Sequence, residues 1–166
     1  MKYSIWTIPP DPIYYQIKAT IDQLSKRYQG PQFDPHMTLL GEIEADLSEL
    51  EQKVKKLATG LSKLELSLGP VSFSTTYFQS VFVRINSTAK LMQLNIDAKK
   101  LFDMENNVFM PHMSLLYGDH DMLTRGKAAS TLMIPSTSFV IDKFLITQTT
   151  GAPSEWKYVA TVPFGT

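Results

Sequence analysis

Cysteine is absent from the 166 residues, and histidine occurs only three times. Without thiols there is no disulfide framework, thiolate metal site, iron–sulfur cluster or cysteine nucleophile, so any chemistry must run on His, Asp, Glu, Lys, Ser, Thr or Tyr. Net charge is missing too: 16 Lys plus Arg stand against 16 Asp plus Glu. That balance lacks the basic footprint of proteins that track a nucleic-acid backbone, so no long nucleic-acid partner is expected. No hydrophobic run approaches the ~18 residues of a membrane span, and Met1 to Pro12 carries no apolar core of a signal peptide. The expectation is a cytoplasmic protein with no membrane partner. Low-complexity tracts, charge blocks and linkers are lacking as well. We therefore expect one domain over residues 1–166, monomeric, whose 43% hydrophobic residues suffice for a core.

What is present reads as alternating helices and strands. A β-like run from Tyr3 to Ile8 stops at Pro9, Pro10 and Pro12. Asp11 then stands as an N-cap with Pro12 at the first helical position, and Ile13, Ile17, Ile21, Leu24 and Tyr28 keep helical spacing up to Gly30 and Pro31. Asp46 with Glu49 three residues on opens a second helix, with Leu47, Leu50, Val54, Leu57 and Leu61 on one face. Its Glu49–Lys53 and Glu51–Lys55 pairs read as a solvated face. A third helix is expected from about Ser87, with Leu91, Leu94, Ala98 and Leu101 inward, and a weaker fourth between Asp121 and Leu132. Strand patterning marks Leu64 to Leu68, Phe78 to Ile85, Phe139 to Thr147 and Trp156 to Val162. No Gly-rich phosphate loop follows a strand, and short connections suit hairpins, so the fold class is α+β with largely antiparallel sheet.

One segment occurs twice. Pro35-His36-Met37-Thr38-Leu39-Leu40 returns as Pro111-His112-Met113-Ser114-Leu115-Leu116, and the one difference keeps a hydroxyl. Gly41-Glu42 follows the first copy, and Gly118-Asp119 follows the second after Tyr117. In a strand, residues i and i+2 share a face, so His36 with Thr38 and His112 with Ser114 point one way while Met37, Leu39, Met113 and Leu115 point to the core. A single histidine on a strand is more often structural than catalytic. Two of three in one duplicated motif, each with a hydroxyl partner, shift the balance: an approximate two-fold axis would bring an acid, a base and two hydrogen-bond donors around one small group.

The paired H-x-[T/S] motifs, 76 residues apart, resemble those of the 2H phosphoesterase superfamily, and the chain is most similar to its plant- and yeast-type cyclic nucleotide phosphodiesterases. Tyr3-Ser4-Ile5-Trp6, Tyr77-Phe78-Gln79 with Val81-Phe82, and Leu115-Leu116-Tyr117-Gly118 extend the resemblance over most of the chain. It implies a bilobal fold of two pseudo-symmetric lobes, helices packed outside and a cleft between them. It also implies hydrolysis of ADP-ribose 1″,2″-cyclic phosphate, a by-product of tRNA splicing, or of nucleoside 2′,3′-cyclic phosphates to 2′-phosphates, with no metal or other cofactor. The missing cysteines would remove disulfide-based redox control known in some plant relatives without touching the catalytic set.

On that reading His36 and His112 are the catalytic acid and base, with His112 favoured as base because Tyr117 follows it and could hold the water. Thr38 and Ser114 would donate to the phosphoryl oxygens. Trp6, Phe78 and Tyr117 would line the cleft, although core packing explains Trp6 and Phe78 equally well. Gly118-Asp119-His120-Asp121 reads as a turn rather than a metal cluster. Two other readings use the same groups: an RNA-end-processing enzyme of the RNA-ligase-like branch, which would be expected to show a basic surface, and a non-catalytic phosphate-binding module.

Overall fold

The computed structural model describes residues 1–165. Its order is β1 (Lys2–Thr7), α1 (Ile13–Tyr28), β2 (Met37–Glu44), α2 (Leu47–Thr59), β3 (Leu64–Phe73), β4 (Val81–Ile85), α3 (Ala89–Leu101), β5 (His112–Leu116), α4 (Met122–Ser130), β6 (Ser138–Ile141), β7 (Lys143–Gln148) and β8 (Lys157–Pro163), with a 3-10 turn at Pro153–Glu155. All pairings are antiparallel, in the order β6-β3-β4-β5-β2-β1-β7-β8. The expected α+β, bilobal arrangement is what is found. Each half holds four strands, and the motif strands β2 and β5 lie side by side at the centre.

The helices tie the halves together. α1 packs on β5 and α3 packs on β2, so each copy's helix supports the strand of the other copy. Met37 and Met113, both fully buried on the core face, are the registered pair of β2 and β5. Each such side chain stabilises the fold by about 1.5–3 kcal/mol through burial. On the same face, the buried Asn95 of α3 donates its side-chain amide to the Leu39 carbonyl at 2.8 Å, occupying an acceptor that the short β2–β5 ladder leaves open. Gly30, just past α1, lets the helix end reach β5: a Cβ there would stand 2.9 Å from the Tyr117 carbonyl oxygen.

Local chemistry explains most boundaries. Asp46 caps α2 by accepting from the Ser48 N–H at 2.9 Å, and the Glu49–Lys53 and Glu51–Lys55 pairs form at 2.9 and 3.7 Å. Asp121 caps α4 through the Thr124 N–H, while Thr88, not Ser87, caps α3. At α1 the expectation fails, because Asp11 does not cap. The helix starts at Ile13, and the Pro10 and Pro12 carbonyls accept from Tyr14 and Gln16, which removes the need for a side-chain cap.

The run from Phe139 to Thr147 is two strands rather than one. β6 pairs with β3 and β7 with β1, and the exposed Asp142 alone separates them. A one-residue link between an outer strand of one half and an inner strand of the other requires the sheet to curl. The strands expected to begin at Phe78 and Trp156 begin later, at Val81 and Lys157, which leaves both aromatics outside the ladders. No helix among the described residues is long and apolar enough to cross a membrane.

Candidate active site

The β2–β5 register builds the site. With Met37 opposite Met113 on antiparallel strands, one step either way sets His36 across from Ser114 and Thr38 across from His112. All four side chains therefore lie on the face away from the core, in two diagonal pairs about a local two-fold axis. They line a cleft of about 330 Å³, together with Trp6, Phe78 and Tyr117. Every residue singled out from the sequence for this site is brought to one cavity.

The two imidazoles are presented alike. His36 Nδ1 donates to the Asp34 carbonyl at 2.6 Å, and His112 Nδ1 donates to the Met110 carbonyl at 2.7 Å. With Nδ1 committed to a backbone acceptor two residues back, each ring offers Nε2 for proton transfer. Their surroundings differ. The Trp6 ring lies flat on His36, with centroids 3.5 Å apart and planes at 12°, and His36 is 6% exposed. His112 is half-buried and meets the edge of Phe82 at 5.4 Å.

Burial pushes His36 down from 6.5 to about 4, the Asp34 hydrogen bond and carboxylate pull it up, and the charge of His112 adds to the lowering. Burial also lowers His112, helped by Arg84 and opposed by the bond to Met110. The charge of His112 is thus felt at His36, and both rings favour the neutral form in the free protein.

The hydroxyls are less symmetric. Among the described residues, Thr38 has no side-chain hydrogen bond, whereas Ser114 donates to the Phe78 carbonyl at 2.6 Å. Tyr117 is buried, stacked on Phe33 with centroids 3.7 Å apart. Burial pushes its phenol up, with the neighbouring Ser114 hydroxyl opposing, so it stays neutral at the cleft floor. Trp6 is both core and cleft wall, being 4% exposed, and Phe78 is a half-exposed lip. Buried Arg125 holds the Phe78 loop, donating to the Ser74 and Thr76 carbonyls at 2.8 and 2.7 Å and to the His120 carbonyl at 2.6 Å. His120 packs edge-on to Tyr28, and Asp121 is used as a helix cap. Among the described residues no cluster of His, Asp and Glu is arranged to hold a metal ion.

Several lining residues are not apparent from the patterning used above. Trp156 enters the cleft from the turn before β8 and sits 5.9 Å from Phe78 and 6.1 Å from Tyr117. A lone tryptophan after a Gly-Ala-Pro-Ser-Glu turn is its only signal. Phe109 also lines the cleft, and it has a clear one: Phe33-x-Pro-His and Phe109-x-Pro-His extend the repeat by two residues. Within the extended repeat, the first copy has Asp34 where the second has Met110. No Lys or Arg lines the cleft among the described residues, and Glu42 is its one carboxylate.

Comparison with known proteins bears on the fold and the family. The chain is 28% identical to the cyclic phosphodiesterase of Arabidopsis thaliana over 118 residues, which is 70% of this chain and 65% of that protein. The fold matches the crystal structure of TT0787 of Thermus thermophilus with a TM-score of 0.69 at 13% identity, over 99% of this chain and 98% of that one. It also matches Escherichia coli LigT complexed with 3′-AMP, with a TM-score of 0.66 at 15% identity over 99% and 98% of the two chains. Curled sheet and paired motifs together define a 2H phosphoesterase. Within that superfamily the chain belongs to the cyclic phosphodiesterase-like protein family, whose model matches residues 1–164.

Proposed function

We propose that the protein hydrolyses small cyclic phosphodiesters by general acid–base catalysis between His36 and His112, without a metal or other cofactor. The observation that carries this reading is the diagonal array: two imidazoles with free Nε2 atoms and two hydroxyls on one face of adjacent strands. The substrates are nucleoside 2′,3′-cyclic phosphates, opened to 2′-phosphates, and ADP-ribose 1″,2″-cyclic phosphate, opened to ADP-ribose 1″-phosphate. The Arabidopsis relative is a cyclic phosphodiesterase, and LigT was crystallised with 3′-AMP, a ligand of matching size.

Charge supports a small ligand. A cyclic phosphodiester carries one negative charge, and one protonated imidazole matches it in a cleft without lysine or arginine. A long RNA strand, charged at every linkage, would need a row of cations, whereas the β4–β5 register sets one guanidinium, Arg84, beside His112, which suits the diphosphate of a dinucleotide-sized ligand rather than a polymer. Trp156 and Phe78 offer rings to a base or ribose, and Tyr117, buried beneath them, offers its hydroxyl.

In the reaction, water attacks phosphorus opposite the leaving ribose oxygen. His36 Nε2 takes one water proton, the other staying on the new phosphate oxygen. The bond from phosphorus to the ribose oxygen breaks, and His112 Nε2–H protonates that oxygen. Each transfer typically contributes ~10² to 10⁴-fold. The assignment reverses the expected one: His36, under Trp6, is the ring more fully shut from water and sits well below its ordinary value, which suits a base that must start neutral. His112, at the open side, is the ring better able to start protonated. Thr38 is free to donate to a phosphoryl oxygen, and Ser114 can do so by leaving the Phe78 carbonyl.

The test is incubation with a nucleoside 2′,3′-cyclic phosphate, and separately with ADP-ribose 1″,2″-cyclic phosphate, in EDTA, with identification of the product isomer. Hydrolysis to the 2′-phosphate or 1″-phosphate is expected. No turnover of either substrate would overturn the proposal, and a requirement for added metal would overturn the mechanism. Binding of the cyclic phosphates without turnover would indicate a phosphate-binding module.

A further inference from the structure

The two motif copies hold their histidines through the same backbone contact, but only one of the supporting residues is itself held. Asp34, whose carbonyl accepts from His36, has both carboxylate oxygens occupied: Tyr14 of α1 donates to Oδ1 at 3.0 Å, and Tyr158 of β8 donates to Oδ2 at 2.6 Å. In the other copy Met110 offers its carbonyl to His112 with no side-chain bond of its own among the described residues. Nothing in the acid–base chemistry described above uses Asp34, Tyr14 or Tyr158. Three segments far apart in sequence nevertheless converge on the residue that orients one imidazole.

We propose that Asp34, clamped by Tyr14 and Tyr158, is a positioning residue for His36: it fixes the ring with Nε2 toward the cleft and places a negative charge behind it that favours the protonated form as it arises in the transition state. The arrangement performs the orienting role that a carboxylate on Nδ1 plays elsewhere, here split between the carbonyl, which makes the contact, and the carboxylate, which supplies the field.

The groups around His36 are few. From α1 come Tyr14 and Lys18, the latter paired with Asp22. From β8 comes Tyr158, and across the cleft stands His112, itself facing Arg84. Burial and the Asp34 charge push both phenols up, Tyr14 to about 12, so the clamp stays intact through the working pH range. Asp34 is then the one carboxylate whose charge favours protonated His36.

The kinetic part of the test rests on the proposed acid–base function, whereas imidazole titration by ¹⁵N NMR does not, so the two ideas fail separately. With three histidines in the chain, assignment follows from single substitutions. Asp34→Asn keeps the shape and removes the charge, and Asp34→Met installs the residue of the other copy. Both are expected to lower the His36 midpoint by roughly 0.5–1 pH unit, as for a charge acting through partly solvated protein, leaving His112 in place. The acid limb of kcat/KM should move by the same amount, and kcat should fall about three- to tenfold with KM little changed. Tyr158→Phe, at an exposed strand position, removes one clamp: the share of the Nδ1–H tautomer of His36 should drop, with kcat lowered about threefold.

An unmoved His36 midpoint in Asp34→Asn and Asp34→Met would overturn the electrostatic role. An unchanged tautomer in Tyr158→Phe would overturn the clamp. If activity falls only in step with thermal stability while the pH profile stays fixed, Asp34 is structural and the inference is wrong.

Discussion

The segments Phe33–Leu40 and Phe109–Leu116 are copies of one pattern meeting across one strand pair, yet they are held in different ways. The first is rigidly backed: Trp6 stacks on His36, two tyrosines clamp Asp34, and Thr38 is left free. The second is open: His112 is half-buried, the residue behind it is Met110, and the Ser114 hydroxyl is already engaged by the Phe78 loop. Duplication supplies equal geometry, whereas acid–base catalysis needs unequal protonation. The inequality comes from what surrounds each copy rather than from the copies themselves.

That contrast can be broken most severely by removing either imidazole. His36→Ala and His112→Ala should each lower kcat by about 10² to 10⁴-fold, and the double variant should be far less impaired than the product of the two, because the rings act on one event. Steady-state kinetics of the three variants would show it.

The next effect is on stability. His36 is held low in the fold, at about 4 against an ordinary 6.5. Above pH 6.5 it is neutral in folded and unfolded chains and has no effect. As pH falls from 6.5 towards 4 the unfolded chain takes up the proton first, so stability should drop, by about 3 kcal/mol in all from this ring. Denaturant unfolding between pH 7 and 4 should show the slope, and His36→Gln should flatten it.

The hydroxyls sharpen the contrast further. Thr38→Val and Ser114→Ala should each reduce kcat by about 10- to 100-fold. Only Ser114→Ala should also lower stability, by about 1 kcal/mol, because the Phe78 carbonyl loses its donor. A smaller change makes the second copy resemble the first: Met110→Asp should raise the His112 midpoint by roughly half a pH unit, read by ¹⁵N NMR.

The parts legible in the sequence are those set by local repetition. α2 shows itself through Asp46, Glu49 and the Leu50–Val54–Leu57 face, and the site shows itself because one motif appears twice at strand spacing. Pairings that depend on distant segments stay hidden. Nothing around Asp142 tells that β6 and β7 pair with different halves of the sheet, since period-two alternation is blind to the partner. The Asp34–Tyr158 contact spans 124 residues, and Arg125 finds its loop about 50 residues away. Asp11 has the residue type of a cap but not the role, because backbone carbonyls of Pro10 and Pro12 satisfy the helix start. Phe33 and Phe109 are readable as part of the repeat, which begins two residues before Pro35 and Pro111.

The most direct measurement is kcat/KM against pH for the wild-type protein and the two single-histidine variants, with a nucleoside 2′,3′-cyclic phosphate as substrate. With His36 neutral as base and His112 protonated as acid, the wild-type profile should be a bell whose maximum lies on the acid side of 6.5, because both rings are lowered. His36→Ala should lose the acid limb and keep the basic one, and His112→Ala should do the opposite. A flat wild-type profile, or variants that both keep the full bell, would contradict a division of proton transfer between the two copies.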